Sequence, residues 1–367
     1  MFNNLFEGKT VLVTGNSGFK GSWLTLWLIK LGARVIGISN NHPSNPSMFN
    51  ELNIREYMED YFEYDISLGI DGLSKAFEYN PDIVFHLAAQ PLVSESYEDP
   101  LNTLQTNIIG TANVLDLIRN NNKKTTGVII TSDKCYDNLE LERGYNEEDL
   151  LGGKDIYSGS KGAAELVFKA YFHSFFKGNS LGSKISTTRA GNVIGGGDWG
   201  KDRIVPDAIR SWSNDSLISI RSPRSTRPWQ HVLEPLSGYL MLAQKLLKDE
   251  VNNGVNLNFG PNEENKKNVS ELILDMSKVW GFKNPEESFQ ISEVSNFHEA
   301  SLLQLDCSKA KKELGWGPLL NYEEMIDLTI GWYKKFYSDK DEMLDYSINQ
   351  INSYEKLALK RGMNWAS

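Results

Sequence analysis

A tyrosine and a lysine stand four positions apart at Tyr157 and Lys161. Residues at i and i+4 share one face of an α-helix, so the Lys161 ammonium can lie beside the Tyr157 phenol. A phenol with a pKa of about 10 is a poor base at neutral pH. A positive charge about 4 Å away, in an effective dielectric of about 20, contributes roughly 4 kcal/mol, or about three pKa units. The pair therefore predicts a tyrosine that removes a hydroxyl proton, although an ordinary surface pair has the same spacing.

Three polar residues follow the apolar run at 127–131, which is predicted to be a buried strand. The Ser132 hydroxyl then lies at the carboxyl end of that strand, where open α/β sheets bind ligands. Asp133 and Lys134 add an acid and a base, which work only if Asp133 holds a proton and Lys134 is neutral. Burial favours these neutral forms, whereas the attraction between opposite charges opposes them. The sequence does not decide which of these two effects controls the protonation of Asp133 and Lys134. The alternative is that both residues lie in a solvated loop and have no catalytic role.

Glycines at 15, 18 and 21 follow the first predicted strand and precede a helix. Gly15 permits the tight turn, Gly18 lets the backbone approach a pyrophosphate, and Gly21 lets the helix pack closely on the sheet. Free N–H groups at the helix start favour a phosphate. An ordinary glycine-rich turn is the alternative, but the position after the first strand of a βαβ unit favours dinucleotide binding.

The choice between NAD and NADP is not decided at the end of the second strand. Residues 38–41 (ISNN) contain neither an acid for the ribose hydroxyls nor an arginine for a 2′-phosphate. Asp65, followed by Ile66, is a candidate contact to the adenine amino group, and a loop aspartate in water explains it equally well.

The elements that must position these groups alternate along the first half of the chain. Short β-branched runs alternate with amphipathic stretches, a pattern typical of βαβ units and a parallel sheet. Strands are predicted at 10–14, 34–38, 83–87, 127–131 and 185–189, and helices at 18–31, 103–119 and 156–176. The sequence predicts an α/β fold: a Rossmann-type doubly wound parallel sheet with a smaller α/β C-terminal substrate domain.

The residue composition changes after Gly191. Glycine, tryptophan and proline punctuate GNVIGGGDWG and RSPRSTRPWQ, which suits loops that fold over a ligand. We expect a dinucleotide-binding domain at 1–190 and a substrate domain at 191–367, with segments near 228–261 returning to the first domain. Four arginines of this half are candidates to bind a diphosphate: Arg203, Arg221, Arg224 and Arg227. The alternative is that they are solvated side chains on the surface.

Composition excludes several classes of protein. The 367 residues are 40% hydrophobic and carry a net charge of −10, the wrong sign for a protein that holds nucleic acid by neutralising phosphates. No apolar stretch approaches the roughly 20 residues of a membrane span. The first nine residues do not resemble a signal peptide, so a cytoplasmic location is expected. Two cysteines and five scattered histidines indicate neither a disulfide framework nor a metal site.

The glycine turn, the strand-end serine and the Tyr/Lys pair, in this order, resemble the extended short-chain dehydrogenase/reductase family over nearly the whole chain. HLAA at 86–89, TNIIGT at 106–111 and RAGN at 189–192 also match. TSDKCYD at 131–137 is similar to nucleotide-sugar 4,6-dehydratases, which carry an acid and a base after the Ser or Thr, whereas epimerases usually lack that pair. Asp-Lys before Cys-Tyr resembles the branch that acts on CDP-glucose. Thymidine-type dehydratases have Asp-Glu there.

This resemblance implies NAD as cofactor and a redox-neutral dehydration, in which hydride leaves sugar C4 and returns at C6. It implies that Tyr157, aided by Lys161 and Ser132, takes the C4 hydroxyl proton. Lys134 would take the C5 proton, and Asp133 would protonate the departing C6 hydroxyl. The product would feed 3,6-dideoxyhexoses of bacterial surface polysaccharide.

The resemblance also implies binding residues and a homodimer or higher homo-oligomer, formed through helices near 101–119 and 156–176. Expected NAD contacts are Gly15, Asn16, Ser17, Gly18, Phe19, Gly21, Asp65, Ile66, Leu87, Ala88, Ala89, Asn107, Tyr157 and Lys161. Expected contacts to the nucleotide sugar are Gln90, Asn192, Asp198, Trp199, Arg203, Arg227 and His298.

Two alternatives stay open. The first is a related dehydratase or epimerase with a different base or sugar, and the Asp133-Lys134 pair disfavours the epimerase. The second is a non-catalytic dinucleotide sensor, which intact Ser132, Tyr157 and Lys161 disfavour.

Overall fold

A computed structural model describes residues 1–42, 44–262, 265–292 and 303–366. The strands are β1 (Thr10–Thr14), β2 (Arg34–Ser39), β3 (Asp60–Glu63), β4 (Ile83–His86), β5 (Thr126–Ile130), β6 (Lys184–Ala190), β7 (Val193–Ile194), β8 (Ile218–Ile220), β9 (Thr226–Pro228), β10 (Gln230–His231), β11 (Asn256–Phe259), β12 (Lys266–Asn268) and β13 (Phe289–Ile291).

The α-helices among these residues are α1 (Phe19–Lys30), α2 (Met48–Glu51), α3 (Asp71–Phe77), α4 (Val93–Glu98), α5 (Pro100–Leu104), α6 (Gly110–Asn120), α7 (Ile156–Tyr171), α8 (Ile204–Trp212), α9 (Leu233–Leu247), α10 (Val269–Trp280), α11 (Ser308–Leu314), α12 (Tyr322–Ser338) and α13 (Met343–Lys360). None of the described helices is both long enough and apolar enough to span a membrane.

The central sheet has seven parallel strands in the order β11-β6-β5-β4-β1-β2-β3. Every residue of β1, β4, β5 and β6 is buried, which fits the largely apolar runs of β1, β4 and β5, whereas β6 buries several polar side chains. Because all the strands are parallel, their carboxyl ends meet at one edge. The predicted Rossmann-type doubly wound sheet is confirmed.

Two predicted helices differ in their internal geometry from a continuous α-helix. The stretch predicted at 103–119 consists of α5, a π-helical turn at Gln105–Ile109 and α6. The stretch predicted at 156–176 is α7 followed by a π-helical turn at Phe172–Phe176. Apolar periodicity locates such helices but does not register one extra residue per turn, so the π turns had no signal in the pattern.

The second half of the chain contributes both to the sheet and to a separate lobe. β11, which lies within the 228–261 segment, is the seventh strand of the central sheet. The lobe contains three two-stranded pairs: β7 with β10, β8 with β13, and β9 with β12. α13 packs on α1, and Trp365 stacks on Phe2 with ring centroids 5.0 Å apart. The boundary at residue 190 is therefore not a clean division between two units.

Candidate active site

The glycine turn joins β1 to α1 at the carboxyl edge of the sheet. Gly15 has a φ of +72°, and a Cβ there would lie 2.6 Å from the Ala88 nitrogen. A Cβ at Gly21 would lie 2.0 Å from the Gly15 carbonyl oxygen. Gly18 is the N-cap residue immediately before α1, and no side chain among the described residues caps this helix. The open N–H groups at the positive end of the helix dipole fit a pyrophosphate.

Asn16 and Ser17 use their side chains to hold this turn against the end of β2. The Ser39 hydroxyl donates to Asn16 Oδ1 at 2.9 Å and accepts from the Ser17 nitrogen at 3.1 Å. The Ser17 hydroxyl donates to the Asn41 carbonyl oxygen at 2.6 Å. These side chains shape the turn, and Phe19 lies half-buried at the start of α1 beside them.

Asp65 is positioned next to the end of β2. Its Oδ1 accepts from the Ser67 nitrogen at 2.8 Å, and its Oδ2 accepts from the Asn40 side chain at 3.2 Å. Ile66 is buried against α6, where its carbonyl oxygen accepts from the Asn113 side chain. The predicted adenosine contact therefore lies at the same sheet edge as the glycine turn.

The segment after β4 is fixed from two sides. The Leu87 nitrogen donates to the Thr14 carbonyl oxygen, and the Ala88 nitrogen donates to the Thr14 hydroxyl at 3.3 Å. Leu87, Ala88 and Ala89 are all half-buried beside the glycine turn.

Asn107 and Gln90 hold that segment against α7. Asn107 Nδ2 donates to the Gln90 carbonyl oxygen at 3.1 Å and to the Ser160 hydroxyl at 2.8 Å. The Gln90 side chain donates to Leu92 and Thr103. The Gln90 nitrogen donates in turn to Asn107 Oδ1 at 2.9 Å, so both side-chain amides and the Gln90 backbone are already engaged within the protein.

Ser132 caps a short 3₁₀ turn, Asp133–Cys135, which begins where β5 ends. Its hydroxyl donates to Asp133 Oδ1 at 2.8 Å and accepts from the Lys134 nitrogen at 3.2 Å. Asp133 is buried and Lys134 is half-buried. The acid and the base therefore stand at the carboxyl end of a central strand, as predicted from the sequence.

Tyr157 lies in the first turn of α7, which Asp155 caps by accepting from the Ser158 nitrogen. Tyr157 and Lys161 are both buried, and Lys161 Nζ lies 5.9 Å from the Tyr157 ring centroid. Tyr157 lies close enough to Ser132 for the Ser132 side chain to act on its pKa, in the lowering direction. The helix therefore brings the tyrosine of the predicted pair to the strand-end serine.

The predicted lowering of the Tyr157 pKa by Lys161 is wrong for this structure. Burial raises the pKa of Tyr157 to about 12, against the lowering effect of Ser132, and the charge of Asp133 raises it further. Burial, together with the charge of Lys20, lowers the pKa of Lys161 to about 8. The Coulomb argument omitted desolvation, which here outweighs the lowering effects of Ser132 and of the Arg203 charge on the pKa of Tyr157.

A buried ion pair between Arg189 and Glu165 holds the carboxyl end of β5, next to Ser132. Arg189 binds Glu165 through two nitrogens, at 3.0 and 2.9 Å, and Glu165 also accepts from the Thr131 hydroxyl at 2.5 Å. Arg189 donates further to the Tyr136 hydroxyl at 2.7 Å. Glu165 is absent from the predicted site, although it stands eight residues after Tyr157, on the same face of α7.

Two further residues at the site had weak sequence signals. Gly191 follows β6, and a Cβ there would lie 2.1 Å from Asp133 Oδ2, so glycine leaves the space that the carboxylate occupies. Lys20 lies one residue into α1. Burial and the charge of Arg203 lower the pKa of Lys20 to about 8, against the raising effect of Asp133. Lys20 follows Phe19 in the glycine turn, and only the fold brings it near the acid.

The predicted substrate residues fall into distinct environments. Arg203 pairs with Asp198 at 2.9 Å, and its charge acts on Tyr157. Asn192 is half-buried, with a φ of +51° and its carbonyl oxygen bonded to the Gln230 nitrogen. Arg227 is half-buried on β9.

Trp199 and His298 differ from these. Trp199 is 3% exposed and packs against Trp332 and Phe336, so its placement in the core does not support a direct substrate contact. His298 lies outside the described residues.

The fold and the site are those of an extended short-chain dehydrogenase/reductase: a Rossmann-type sheet, a glycine turn, and tyrosine, lysine and serine at its carboxyl edge. A family profile described as GDP-mannose 4,6 dehydratase matches residues 12–329. The chain belongs to this family.

Relatives with assigned activities include a CDP-glucose 4,6-dehydratase of Salmonella typhimurium. It is 44% identical to this chain over 354 residues, which are 96% of this chain and 97% of the relative. A dTDP-glucose 4,6-dehydratase of Haemophilus influenzae is 28% identical, over 88% of this chain and 97% of that protein.

Solved structures show the same fold. UDP-glucose 4-epimerase of Thermotoga maritima with UDP-glucose has a TM-score of 0.76 at 22% identity, covering 89% of this chain and 99% of its own. The dTDP-glucose 4,6-dehydratase of Bacillus anthracis in complex with NAD has a TM-score of 0.75 at 19% identity, covering 93% of this chain and 100% of its own.

Proposed function

We propose that this protein is an NAD-dependent CDP-glucose 4,6-dehydratase, a hydro-lyase that forms CDP-4-keto-6-deoxyglucose and water. The observation that carries the proposal is the position of Asp133 and Lys134 directly after Ser132, which lies beside Tyr157 at the end of β5. An acid and a base beside an oxidation site are what elimination of water next to a new ketone requires. The base and sugar follow from the 44% identical relative.

NAD fits the residues of the glycine turn, because the α1 start is uncapped and glycine at 15 and 21 lets the turn close. The chemistry that NAD supplies when bound is acceptance of hydride from sugar C4 and its return at C6. Tyr157 and Ser132 bind the C4 hydroxyl, and Lys161 lies beside the phenol. Asp65, held by Asn40, contacts the adenosine part of NAD.

Elimination follows from the acidity that a C4 ketone confers on the C5 proton. Lys134 takes this proton, and Asp133 protonates the C6 hydroxyl as it leaves. Both groups lie at the end of β5, so one bound sugar can present C4 to Tyr157 and C6 to Asp133.

Substrate recognition rests on the lobe formed by the second half of the chain. Asn192 and Arg227 contact the diphosphate, and Arg203, held by Asp198, adds positive charge near the reacting sugar. Gln90, whose backbone is fixed by Asn107, completes the proposed contacts to the nucleotide sugar. Arginines at the proposed substrate site of a protein of net charge −10 favour a small anionic substrate over nonspecific polyanions.

We also propose a homodimer formed through α5, α6 and α7. Leu101, Ile109, Leu166 and Phe175 on or next to these helices are 72%, 49%, 56% and 45% exposed, although all four are large and apolar. A second copy of this surface would cover them. The proposed enzyme works in the cytoplasm and supplies deoxyhexoses for bacterial surface polysaccharide.

The test is to incubate the protein with NAD and a panel of CDP-, dTDP-, UDP- and GDP-hexoses. Mass spectrometry should show loss of one water from CDP-glucose with no net reduction of NAD. Water loss from another member alone would assign a different base or sugar. Inversion at C4 without water loss would indicate an epimerase, and no reaction with any member would favour a dinucleotide sensor.

Lys134→Met separates oxidation from elimination. The variant should still transfer hydride from C4, because Tyr157 and Ser132 are intact, but it should no longer take up solvent deuterium at C5. Normal dehydration by Lys134→Met would reject Lys134 as the base.

A further inference from the structure

A row of buried hydrogen bonds begins at Thr14, the residue before the glycine turn, and crosses to α6. The Thr14 hydroxyl lies 2.7 Å from His86 Nδ1, and His86 Nε2 lies 3.1 Å from the Thr111 hydroxyl oxygen. All three side chains are buried, and the proposed chemistry uses none of them. An imidazole with partners on both ring nitrogens is fixed in its orientation.

The direction of these hydrogen bonds follows from their far end. The Thr111 hydroxyl donates to the Asn107 carbonyl oxygen at 2.7 Å, and a carbonyl oxygen can only accept. A hydroxyl has one proton, so Thr111 Oγ1 can only accept from His86, which places a proton on Nε2. Burial, together with the charge of Lys161, lowers the pKa of His86 to about 3, so the ring is neutral and its Nδ1 accepts from Thr14.

Both ends of this row reach the candidate active site. At one end, Thr14 Oγ1 also accepts from the Ala88 nitrogen at 3.3 Å, in the segment beside the glycine turn. At the other end, Asn107 lies in a π-helical turn, a feature common at functional sites, and its Nδ2 donates to the Ser160 hydroxyl at 2.8 Å. Ser160 donates to the Tyr157 carbonyl oxygen at 2.6 Å, within the turn of α7 that carries the Tyr/Lys pair.

We propose that His86 is a positioning residue: with its proton on Nε2, the ring joins the glycine turn to the Tyr157 turn of α7, so that the affinity for NAD and the place of Tyr157 are set together. This inference rests on the proposed function. The His86 network consists of five buried residues, Thr14, His86, Thr111, Asn107 and Ser160. A lost hydrogen bond would leave a buried polar group without a partner, so the backbone on either side has to shift to restore one.

The proton position can be measured without cofactor or substrate. In protein with ¹⁵N-labelled histidine rings, the His86 signals are those that persist when each of the other four histidines is replaced in turn. Near pH 7 we expect a neutral ring with its proton on Nε2 and none on Nδ1. A proton on Nδ1 alone, or protons on both nitrogens, contradicts the network.

Thr111 offers a matched set of variants for NAD binding. Thr111→Val keeps the shape of the side chain but removes the acceptor of the His86 Nε2 proton. Titration calorimetry should show a Kd for NAD raised about threefold to tenfold, which corresponds to the net contribution of one hydrogen bond. Thr111→Ser keeps the hydroxyl and should bind NAD within about twofold of the unmodified protein. An unchanged Kd in Thr111→Val overturns the proposal.

Thr329→Val is the matched control. Among the described residues, the Thr329 hydroxyl is buried without a hydrogen-bond partner, and it lies on α12, outside the His86 network. The substitution therefore changes a buried threonine to valine without breaking a hydrogen bond, and the Kd for NAD should stay within about twofold. An equal loss of affinity in Thr329→Val and Thr111→Val would mean that any such change in the interior weakens binding, which overturns the positioning role.

Ser160 tests whether the network transmits a change from α7 to the cofactor. It is not among the expected NAD contacts, yet Ser160→Ala should also raise the Kd for NAD, about threefold. In the double variant Thr111→Val/Ser160→Ala the network is already broken, so the Kd should be no higher than that of the single variant that binds NAD more weakly. Multiplied effects, which independent sites give, contradict a shared network.

The rate of C4 oxidation tests the link to Tyr157. In a Lys134→Met background, with saturating NAD and CDP-glucose, a loss of cofactor affinity alone leaves this rate unchanged. We expect Thr111→Val to slow C4 oxidation at least about threefold, because a small misplacement of a reacting group is costly, and Thr111→Ser to restore it. An unchanged rate in Thr111→Val overturns the joint role.

Failure of the network and failure of the proposed function give different results. If the unmodified protein binds NAD but removes no water from CDP-glucose, the dehydratase assignment is wrong, and the comparison of Kd values still decides the role of His86. If it removes water and Thr111→Val binds NAD normally, only the role of His86 is wrong. If it binds no NAD, both are wrong.

Discussion

Two fully buried glutamates, in different parts of the molecule, carry different charges for a clear reason. Glu165, on α7 next to the carboxyl end of β5, forms an ion pair with Arg189 and accepts hydrogen bonds from Thr131 and Thr187. Burial acts against it, but Arg189 and these hydrogen bonds lower the pKa of Glu165. Glu234, at the start of α9, forms no ion pair among the described residues, and burial raises its pKa to about 7 although the charge of Arg361 acts to lower it.

The hydrogen bonds of Glu234 show its structural role. It accepts from the backbone nitrogens of Leu319 and Leu320 and from the Tyr354 hydroxyl, so it ties the segment before α12 and helix α13 to α9. The first carboxylate has a lowered pKa and holds Thr131 and Thr187 at neighbouring strands of the sheet. The second titrates near neutrality and joins structural elements away from the reacting groups. The contrast shows that burial alone does not set the charge of a carboxylate; the partner does.

Breaking the Glu165 pair should have the largest effect. Glu165→Gln leaves the Arg189 guanidinium buried without a counter-charge, and we expect a loss of about 3–5 kcal/mol in the free energy of unfolding. Urea denaturation followed by circular dichroism measures it. The double variant Glu165→Gln/Arg189→Met should lose less than the single variant, because no charge remains buried. A single-variant loss below about 1 kcal/mol would contradict the comparison.

The pH dependence of stability distinguishes the two glutamates. The folded pKa of Glu234 is raised, so its contribution is fully present below the unfolded pKa of about 4.3 and is lost as pH rises through about 7. The full contribution amounts to roughly 3 kcal/mol. Thermal melts between pH 5 and 8 should show this downward slope, and Glu234→Gln should flatten it. An unchanged slope in Glu234→Gln would assign the titration to another group.

For Glu165 the sign is reversed. Its folded pKa is lowered, so its contribution is present above the unfolded pKa and is lost only as pH falls through the folded pKa. Glu165 therefore adds no slope to the melts between pH 5 and 8.

We expect the smallest of the three effects from a substitution at Gly191 that fills the space occupied by the Asp133 carboxylate. Gly191→Ala places a Cβ where Asp133 Oδ2 lies, so the carboxylate must move. A misplacement of about 1 Å costs on the order of 10²-fold in catalysis, and we expect water loss from CDP-glucose to fall about tenfold to hundredfold. Gly317→Ala is the control, because its Cβ meets nothing within 4 Å. Unchanged dehydration by Gly191→Ala would show that Asp133 has room to relax.

The sequence predicted what depends on local pattern. The runs at 10–14 and 127–131 became buried parallel strands, because apolar β-branched segments between turn residues have few other solutions. Glycine spacing indicated the turn, since a positive φ at Gly15 and the contact at Gly21 exclude side chains there. The spacing of Tyr157 and Lys161 indicated a shared helix face.

Other properties had no local signal. The pKa of Tyr157 depends on how completely surrounding elements exclude water, and that exclusion reversed the predicted direction. Trp199 looked like a loop residue near a ligand, but α12 supplies Trp332 and Phe336 to cover it. α13 has no counterpart among the predicted helices, and its contacts with α1 join the two ends of the chain.

The amino-acid sequence by itself determined the order of strands and helices, the glycine turn and the identity of the candidate site residues, because each depends on neighbours a few positions apart. Only the tertiary structure decided which of those side chains meet and which buried acid has a lowered pKa. The pKa of a buried group depends on neighbours such as Asp133 for Tyr157 and Arg189 for Glu165, which stand 24 residues apart in each pair and come together only when the sheet forms.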